Sequence, residues 1–271
     1  MLWVLLLLAA PAFGPLLRAE SNCPALAPCY VASSITNAAS NIVGAFAPNT
    51  FLSIYGTNLS YSTRGIAPQD IRDGRLPISL GGVSVRIGPS MAPVYYVSPT
   101  QVNVLIPSDL LPGWHELRML REGWSGPGIQ IKLSDAAPAL FQISPEYAVA
   151  THADYEVITE DSPARPGETV ILYATGLGRN ALDTPTSNFF DAQEIPNQAV
   201  WIQRMDEFHL WLDGAAADRW RLAYVGLAPG FAGLYQINLI LPESAGVDPE
   251  IRISLGDQIS PEGLRLLVRP R

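Results

Sequence analysis

The apolar positions of this chain come in short alternating runs. At Gln101–Ile106, Val102, Val104 and Ile106 alternate with Gln101, Asn103 and Leu105. A period of two puts the first three side chains on one face of a strand and the other three on the opposite face. Gln236–Leu241 repeats the arrangement, with Ile237, Leu239 and Leu241 set against Gln236, Asn238 and Ile240. Similar runs predict strands at 51–55, 83–87, 94–97, 101–105, 116–120 and 129–133. A second set is predicted at 170–174, 209–212, 222–225, 236–240, 250–255 and 265–268. The runs are rich in β-branched and aromatic residues, turn residues separate them, and helix signals are scarce.

The two sets are copies. PNTFLSIYGTNL at 48–59 returns as PGETVILYATGL at 166–177, an offset of 118. QVNVLIP at 101–107 returns as QINLILP at 236–242, offset 135, and HELRM at 115–119 as PEIRI at 249–253, offset 134. Three blocks in one order mean one fold unit used twice. About seven short strands per unit suit an immunoglobulin-like sandwich. The expected fold is therefore all-β: two tandem immunoglobulin-like β-sandwiches at 34–137 and 164–271. A linker is expected at 138–163, and the second unit carries a long irregular insertion at 179–208. Val102, Val104, Ile106 and their counterparts are expected to face the two cores. Asn58 aligns with Gly176, and both residue types tolerate positive φ, so each is predicted to form a tight turn after a strand. Leu59 and Leu177 then fold back as core plugs.

Residues 1–19 read as a secretory signal peptide. The apolar stretch Leu2–Ala10 is too short to span a bilayer. Cleavage is expected after Ala19, with Gly14 as the alternative site and an uncleaved anchor as the competing reading. In the segment that follows, 20–33, Cys23 and Cys29 are expected to form a local disulfide, as suits an exported protein. The formal net charge of −8 becomes more negative once Arg18 leaves. That argues against nucleic acid or an anionic membrane as partner. No stable membrane span is expected after cleavage. The expected location is secreted or at the cell surface.

The strings FLSIYGTNL, GGVSVRIG, APVYYVSPTQVNVLIP, VILYATGLG and APGFAGLYQINLILP carry a family resemblance. They are similar to an uncharacterised C-terminal domain family of acidobacterial secreted proteins, which itself resembles the IPT/TIG group of immunoglobulin-like domains. The resemblance runs from about residue 34 to 268. It implies the sandwich fold and no catalytic residues.

The search for chemistry finds little. His115-Glu116 opens like a zinc-protease helix motif, but Met119 stands where the second histidine belongs and the local pattern is a strand. His209 reads as a sheet-surface residue, and no serine sits in a G-x-S-x-G elbow. His152 with Asp154 and nearby carboxylates is the minor, hydrolase reading, with its site at the domain seam. Asp154, Glu156, Glu160 and Asp161 offer hard oxygen ligands for calcium at the domain junction. Their spacing fits no EF-hand loop, and an ordinary acidic surface is the favoured reading of them. No cofactor is expected otherwise. The recurrent amides Gln101, Asn103, Gln236 and Asn238 read as structural, satisfying backbone at a bend or edge, with a ligand ladder as the alternative. Trp114, Trp124, Trp201, Trp211 and Trp220 are expected to pack the sandwiches or their seam. The alternative is an exposed platform for sugars or protein. The functional expectation is a non-catalytic exported protein for adhesion, surface assembly or partner binding, its partner an extracellular protein or polysaccharide. A carbohydrate-binding module is the alternative.

Overall fold

The computed structural model describes residues 23–179 and 195–270. The expected leader and residues 180–194 of the expected insertion lie outside them. The first copy holds β1 (Ile35–Asn37), β2 (Phe51–Tyr55), β3 (Arg64–Gly65), β4 (Val83–Ile87) and β5 (Ser90–Ala92). It continues with β6 (Val94–Val97), β7 (Gln101–Leu105), β8 (Gly113–Arg121), β9 (Trp124–Ser125) and β10 (Ile129–Leu133). The second holds β11 (Ala139–Leu140), β12 (Ala150–His152), β13 (Thr169–Thr175), β14 (Val200–Trp201) and β15 (Phe208–Leu212). Then come β16 (Ala215–Ala216), β17 (Leu222–Leu227), β18 (Tyr235–Ile240), β19 (Ile251–Leu255) and β20 (Gln258–Ile259). Among the described residues the only helices are single 3₁₀ turns, and none is long and apolar enough to cross a membrane.

The strands form four antiparallel sheets. Two belong to the first copy, in the orders β1-β2-β7-β6-β3 and β10-β8-β4-β5, with β9 on β8. Two belong to the second, in the orders β11-β13-β18-β17-β14, with β12 on β13, and β16-β15-β19-β20. Mapping β2, β7, β6 and β3 onto β13, β18, β17 and β14 preserves every neighbour. Mapping β8, β4 and β5 onto β19, β15 and β16 does the same. A register shift also recurs, between Val94 and Tyr96 and between Leu222 and Tyr224. The chain thus has the immunoglobulin-like all-β fold, built twice.

The alternating runs face as their period dictates. Val102, Val104 and Ile106 lie in the first core, and Ile237, Leu239 and Leu241 lie in the second. Leu59 and Leu177 are buried in the same two cores. Asn58 (φ 56°) and Gly176 (φ 76°) both adopt the left-handed region.

The structure differs from the sequence-based expectation in three stretches. Residues 138–163, expected as a linker, carry β11 and β12, and both pair with β13. The first core ends at Leu133 and the second begins at Ala136, so almost no connecting chain separates the sandwiches. Two-residue and three-residue strands give too few alternations to be seen as a period. Residues 265–268, expected as a strand, lie along β19 where β10 lies on β8. Isolated bridges hold them, because Arg265 also bridges Tyr147 and Val268 bridges Ala164. The described part of the expected insertion is not wholly irregular: Val200–Trp201 forms β14 against β17.

Residues 23–33, the described part of the expected N-terminal segment 20–33, are part of the first sandwich rather than an appendage. Cys23 and Cys29 are disulfide-bonded, with Cα atoms 5.6 Å apart. Cys29 exchanges backbone hydrogen bonds with Thr57. Tyr30 is buried, accepts the Met119 amide at 2.7 Å and donates to the Pro127 carbonyl at 2.7 Å. Its burial pushes the phenol pKa up to about 12, despite the opposing hydrogen bond from Met119. Arg121, only 2% exposed, donates to the carbonyls of Leu26 and Asn58 and to the Tyr61 hydroxyl. Its guanidinium also lies over the Tyr61 ring, 3.9 Å from the centroid.

A third apolar cluster joins the copies. Phe51 and Leu105, from β2 and β7, pack with Ile171 and Tyr173 from β13 and with Phe141, Val149, Ala232 and Leu234. These side chains occupy the strand faces opposite to the two cores. The molecule is therefore a stack of four sheets, in which the same sheet of each copy is turned inward.

Candidate functional site

The seam between the inner sheets is fastened by a few well-placed groups. Thr175 Oγ1 donates to the Asn49 carbonyl at 3.1 Å and accepts the Phe51 amide at 3.0 Å. Asn49 Nδ2 donates to the Gly178 carbonyl at 3.2 Å. Next to them, within the second copy, Ala137 N donates to the Gly176 carbonyl at 2.8 Å. A Cβ on Gly176 would sit 1.9 Å from the Ala137 oxygen, so the chain leading into β11 approaches the end of β13 too closely there for any side chain. Gly233 stands likewise against Leu105, whose Cδ1 would meet a Cβ at 2.2 Å.

Beside these contacts the seam opens into a cavity. Its walls include Phe51, Tyr95, Tyr96, Phe141 and Phe231, with Asn103 as the side-chain amide. It offers water-sized occupants about 60 Å³, room for roughly four to six waters at about 10–15 Å³ each. Phe51 meets Tyr95 and Phe141 edge to face, with centroids 4.8 and 6.2 Å apart. Tyr95 is the extra residue of the bulge in β6, and a bulge re-aims its side chain. Its hydroxyl donates across the seam to the Ala232 carbonyl at 2.9 Å, and burial raises its pKa. No charged side chain lines the cavity among the described residues.

The recurrent amides form the same local pair in both copies. Gln101 Nε2 donates to Asn103 Oδ1 at 2.9 Å, and Gln236 Nε2 donates to Asn238 Oδ1 at 2.8 Å. Both pairs lie on seam-facing strand faces. They bind one another rather than backbone, and only Asn103 reaches the cavity.

The tryptophans do not fill the cores or the seam. Trp114 is 68% exposed on β8 and Trp220 is 64% exposed, while Trp124 and Trp201 are also exposed. Trp211 is half-buried on β15 and stacks with His209. Trp201 packs edge to face on Tyr224, and the Arg221 guanidinium lies 4.2 Å from the Trp220 ring centroid. The packing expectation fails because alternation puts Trp114 on the solvent side of its strand, two residues from Glu116 and opposite Lys132. The five rings divide among the two outer sheets, an edge strand and a 3₁₀ turn, so they do not converge on one platform.

His152 does have partners of the catalytic type. Nδ1 lies 2.5 Å from Glu168 Oε1, and Nε2 lies 3.2 Å from Ser162 Oγ. Nε2 also faces the Ser162 carbonyl at 3.1 Å, an acceptor that requires N–H there. Burial alone would lower the imidazole pKa. The Glu168 hydrogen bond, the Ser162 carbonyl and the fields of Glu168 and Asp154 outweigh it, and the net shift is upward. With its N–H turned to the Ser162 carbonyl, Nε2 offers no lone pair to take the serine proton. His152 is also absent from the cavity wall, so the expected seam constellation does not assemble. The Asp154 carboxylate accepts the Glu156 amide. Asp154, Glu156, Glu160 and Asp161 do not gather: among the described residues no three His, Cys, Asp or Glu side chains could hold a metal. His115 is tied to the Leu111 carbonyl at 2.8 Å.

No protein-family model matches the chain, and no curated protein does. Solved structures match the chain only distantly. SGBP-B of the Bacteroides ovatus mixed-linkage glucan utilization locus, solved with a mixed-linkage heptasaccharide, is 10% identical with a TM-score of 0.34. That match covers 91% of this chain and 47% of that one. Surface glycan-binding protein PbSGBP-B from Prevotella bryantii is 10% identical with a TM-score of 0.26, covering 84% and 40%. The tandem immunoglobulin repeats of Dlar are 12% identical with a TM-score of 0.20, covering 90% and 96%. The chain thus spans under half the length of the two SGBP-B proteins.

Proposed function

We propose that this chain is a non-catalytic binding protein that works outside the cell and engages an extracellular polysaccharide through its outward tryptophans. The observation that carries the reading is the exposure of Trp114 on the outer face of β8. An indole left in water is a flat apolar surface without a partner, and here it is ringed by hydrogen-bonding groups. Lys132 stands opposite on β10, Glu116 and Gln130 form the next pair, and Arg118 binds Glu116 at 3.0 Å. A sugar ring presents a matching apolar face edged by hydroxyls. The Cys23–Cys29 disulfide supports an oxidising compartment. The doubly paired His152 supports a non-catalytic role.

Intrinsic fluorescence titration of the whole chain with a panel of soluble cell-wall polysaccharides tests this. At least one glycan is expected to shift or quench the emission, with affinity falling roughly two- to tenfold in Trp114→Ala. A chain whose emission answers to no glycan refutes the proposal. Retention on a protein of the cell envelope, lost in the same variant, would move the reading to a protein partner.

A further inference from the structure

The duplication supplies an internal control for the seam cavity. In the second copy one rung across the inner sheet reads Thr151, Ile171, Asn238, Tyr224. The matching rung in the first copy reads Thr36, Ser53, Asn103, Tyr96. Directly opposed residues on neighbouring strands share a sheet face, so each rung is a continuous row of side chains. In the second copy the row is chemically closed. Thr151 Oγ1 bonds the Tyr173 hydroxyl at 3.3 Å, and apolar Ile171 fills the next place. In the first copy it is open. Ser53, 1% exposed, and Thr36, 7% exposed, are buried. Neither hydroxyl has a partner of hydrogen-bond geometry, and neither does that of Tyr55, the counterpart of Tyr173. Burial raises the Tyr55 pKa, and the neighbouring Ser53 hydroxyl opposes that rise without reversing it. Asn103 gives its oxygen to Gln101, and among the described residues its amide nitrogen has no acceptor.

Buried hydroxyls without partners cost the fold stability. The second copy shows that the fold does not require them. Thr36 and Ser53 lie in one row, and that row ends at Asn103 and Tyr96 in the wall of the aromatic cavity. We propose that the seam cavity is a binding site for a small neutral ring compound carrying a hydrogen-bond acceptor. The rings of Phe51, Tyr95, Phe141 and Phe231 cover its faces. The Asn103 amide donates to its acceptor, and Ser53 and Thr36 complete the donor row through bridging water. Among the described residues no charged side chain lines the cavity, which disfavours ions. This site is independent of the outer tryptophans, and either can fail without the other.

The test uses the whole chain with acetophenone and α-methylstyrene, a pair that differs by a carbonyl oxygen against a methylene. Binding is read by ligand-observed NMR and calorimetry. Acetophenone is expected to saturate one site with Kd below about 1 mM. α-Methylstyrene is expected to bind roughly two- to tenfold more weakly. Ser53→Val imitates the closed second copy, so it should raise the unfolding midpoint while weakening acetophenone. Asn103→Leu should equalise the two ligands. Failure of acetophenone to saturate overturns the site. Equal affinities in the unmodified chain overturn the donor row, and that comparison needs no variant to fold. Acetophenone binding unchanged in both variants overturns the placement.

Discussion

Gly176→Ala and Asn58→Ala probe the same turn in the two copies and should differ sharply. Both residues have positive φ, at 76° and 56°. Alanine in that region costs about 1–2 kcal/mol in either copy. Asn58 adds only an exposed hydrogen bond from its side chain to the Ala25 carbonyl at 3.1 Å, so Asn58→Ala should lose about 1–2 kcal/mol in all. At Gly176 the new methyl would lie 1.9 Å from the Ala137 carbonyl oxygen and 3.3 Å from Thr50 Oγ1. The first is a backbone atom, more than an ångström inside contact distance, and it cannot rotate away. Relieving it means separating the strands that carry Ala137 and Gly176. That breaks their 2.8 Å hydrogen bond, at about 1 kcal/mol or more, and loosens the adjoining seam cluster. The expected total is about 3–5 kcal/mol. Urea unfolding of the two variants, followed by fluorescence and by far-ultraviolet circular dichroism, measures the difference. Losses within about 1 kcal/mol of each other would refute the claim that the close approach of Ala137, rather than backbone conformation alone, dictates glycine at 176.

Two further outcomes follow from the ends of the second and first sandwiches. His152 has its pKa raised in the folded protein above the ordinary 6.5. The imidazolium contribution is therefore fully present below 6.5 and is lost as pH rises through the folded value. Unfolding midpoints of the unmodified chain should fall relative to His152→Gln across that window, and parallel curves would rule the pairing out. Arg121 holds the Cys23–Cys29 loop through the Leu26 carbonyl, so Arg121→Met should cost about 1–3 kcal/mol. Combined with Cys23→Ser and Cys29→Ser, its cost should be less than additive in a double-mutant cycle; strict additivity would uncouple the two.

Strands and core faces were legible because period two is unambiguous over five or more residues, as at Phe51–Tyr55 and Gln101–Leu105. The copies were legible because their turn and core residues recur. β11 and β12 were not, since two or three residues carry no period and their pairing with β13 is a long-range fact. The cavity was equally hidden. Its wall draws Asn103 from β7, Tyr95 from a bulge and Phe231 from the APGFAGLYQIN string. That string was visible as a motif, but its task was not. Phe231 and Ala232 pack into the seam, while Gly233 lets Leu105 approach. The amides Gln101 and Asn103 were picked out for recurring, yet the informative position was Ser53, where the copies disagree with Ile171. The tryptophans were misplaced because bulk and apolarity suggested burial, whereas strand parity put Trp114 in solvent.

Because each copy spends the same face of the same sheet on its neighbour, the contact is self-limiting. Neither member of the pair keeps that surface free for a third module, so the association saturates at two. An ancestor with a single copy would have shown the face to water and could have homodimerised through it. Fusing the genes made that encounter intramolecular and concentration-independent. It also freed the two halves to diverge, which is how one could keep Ser53 while the other filled the place with Ile171.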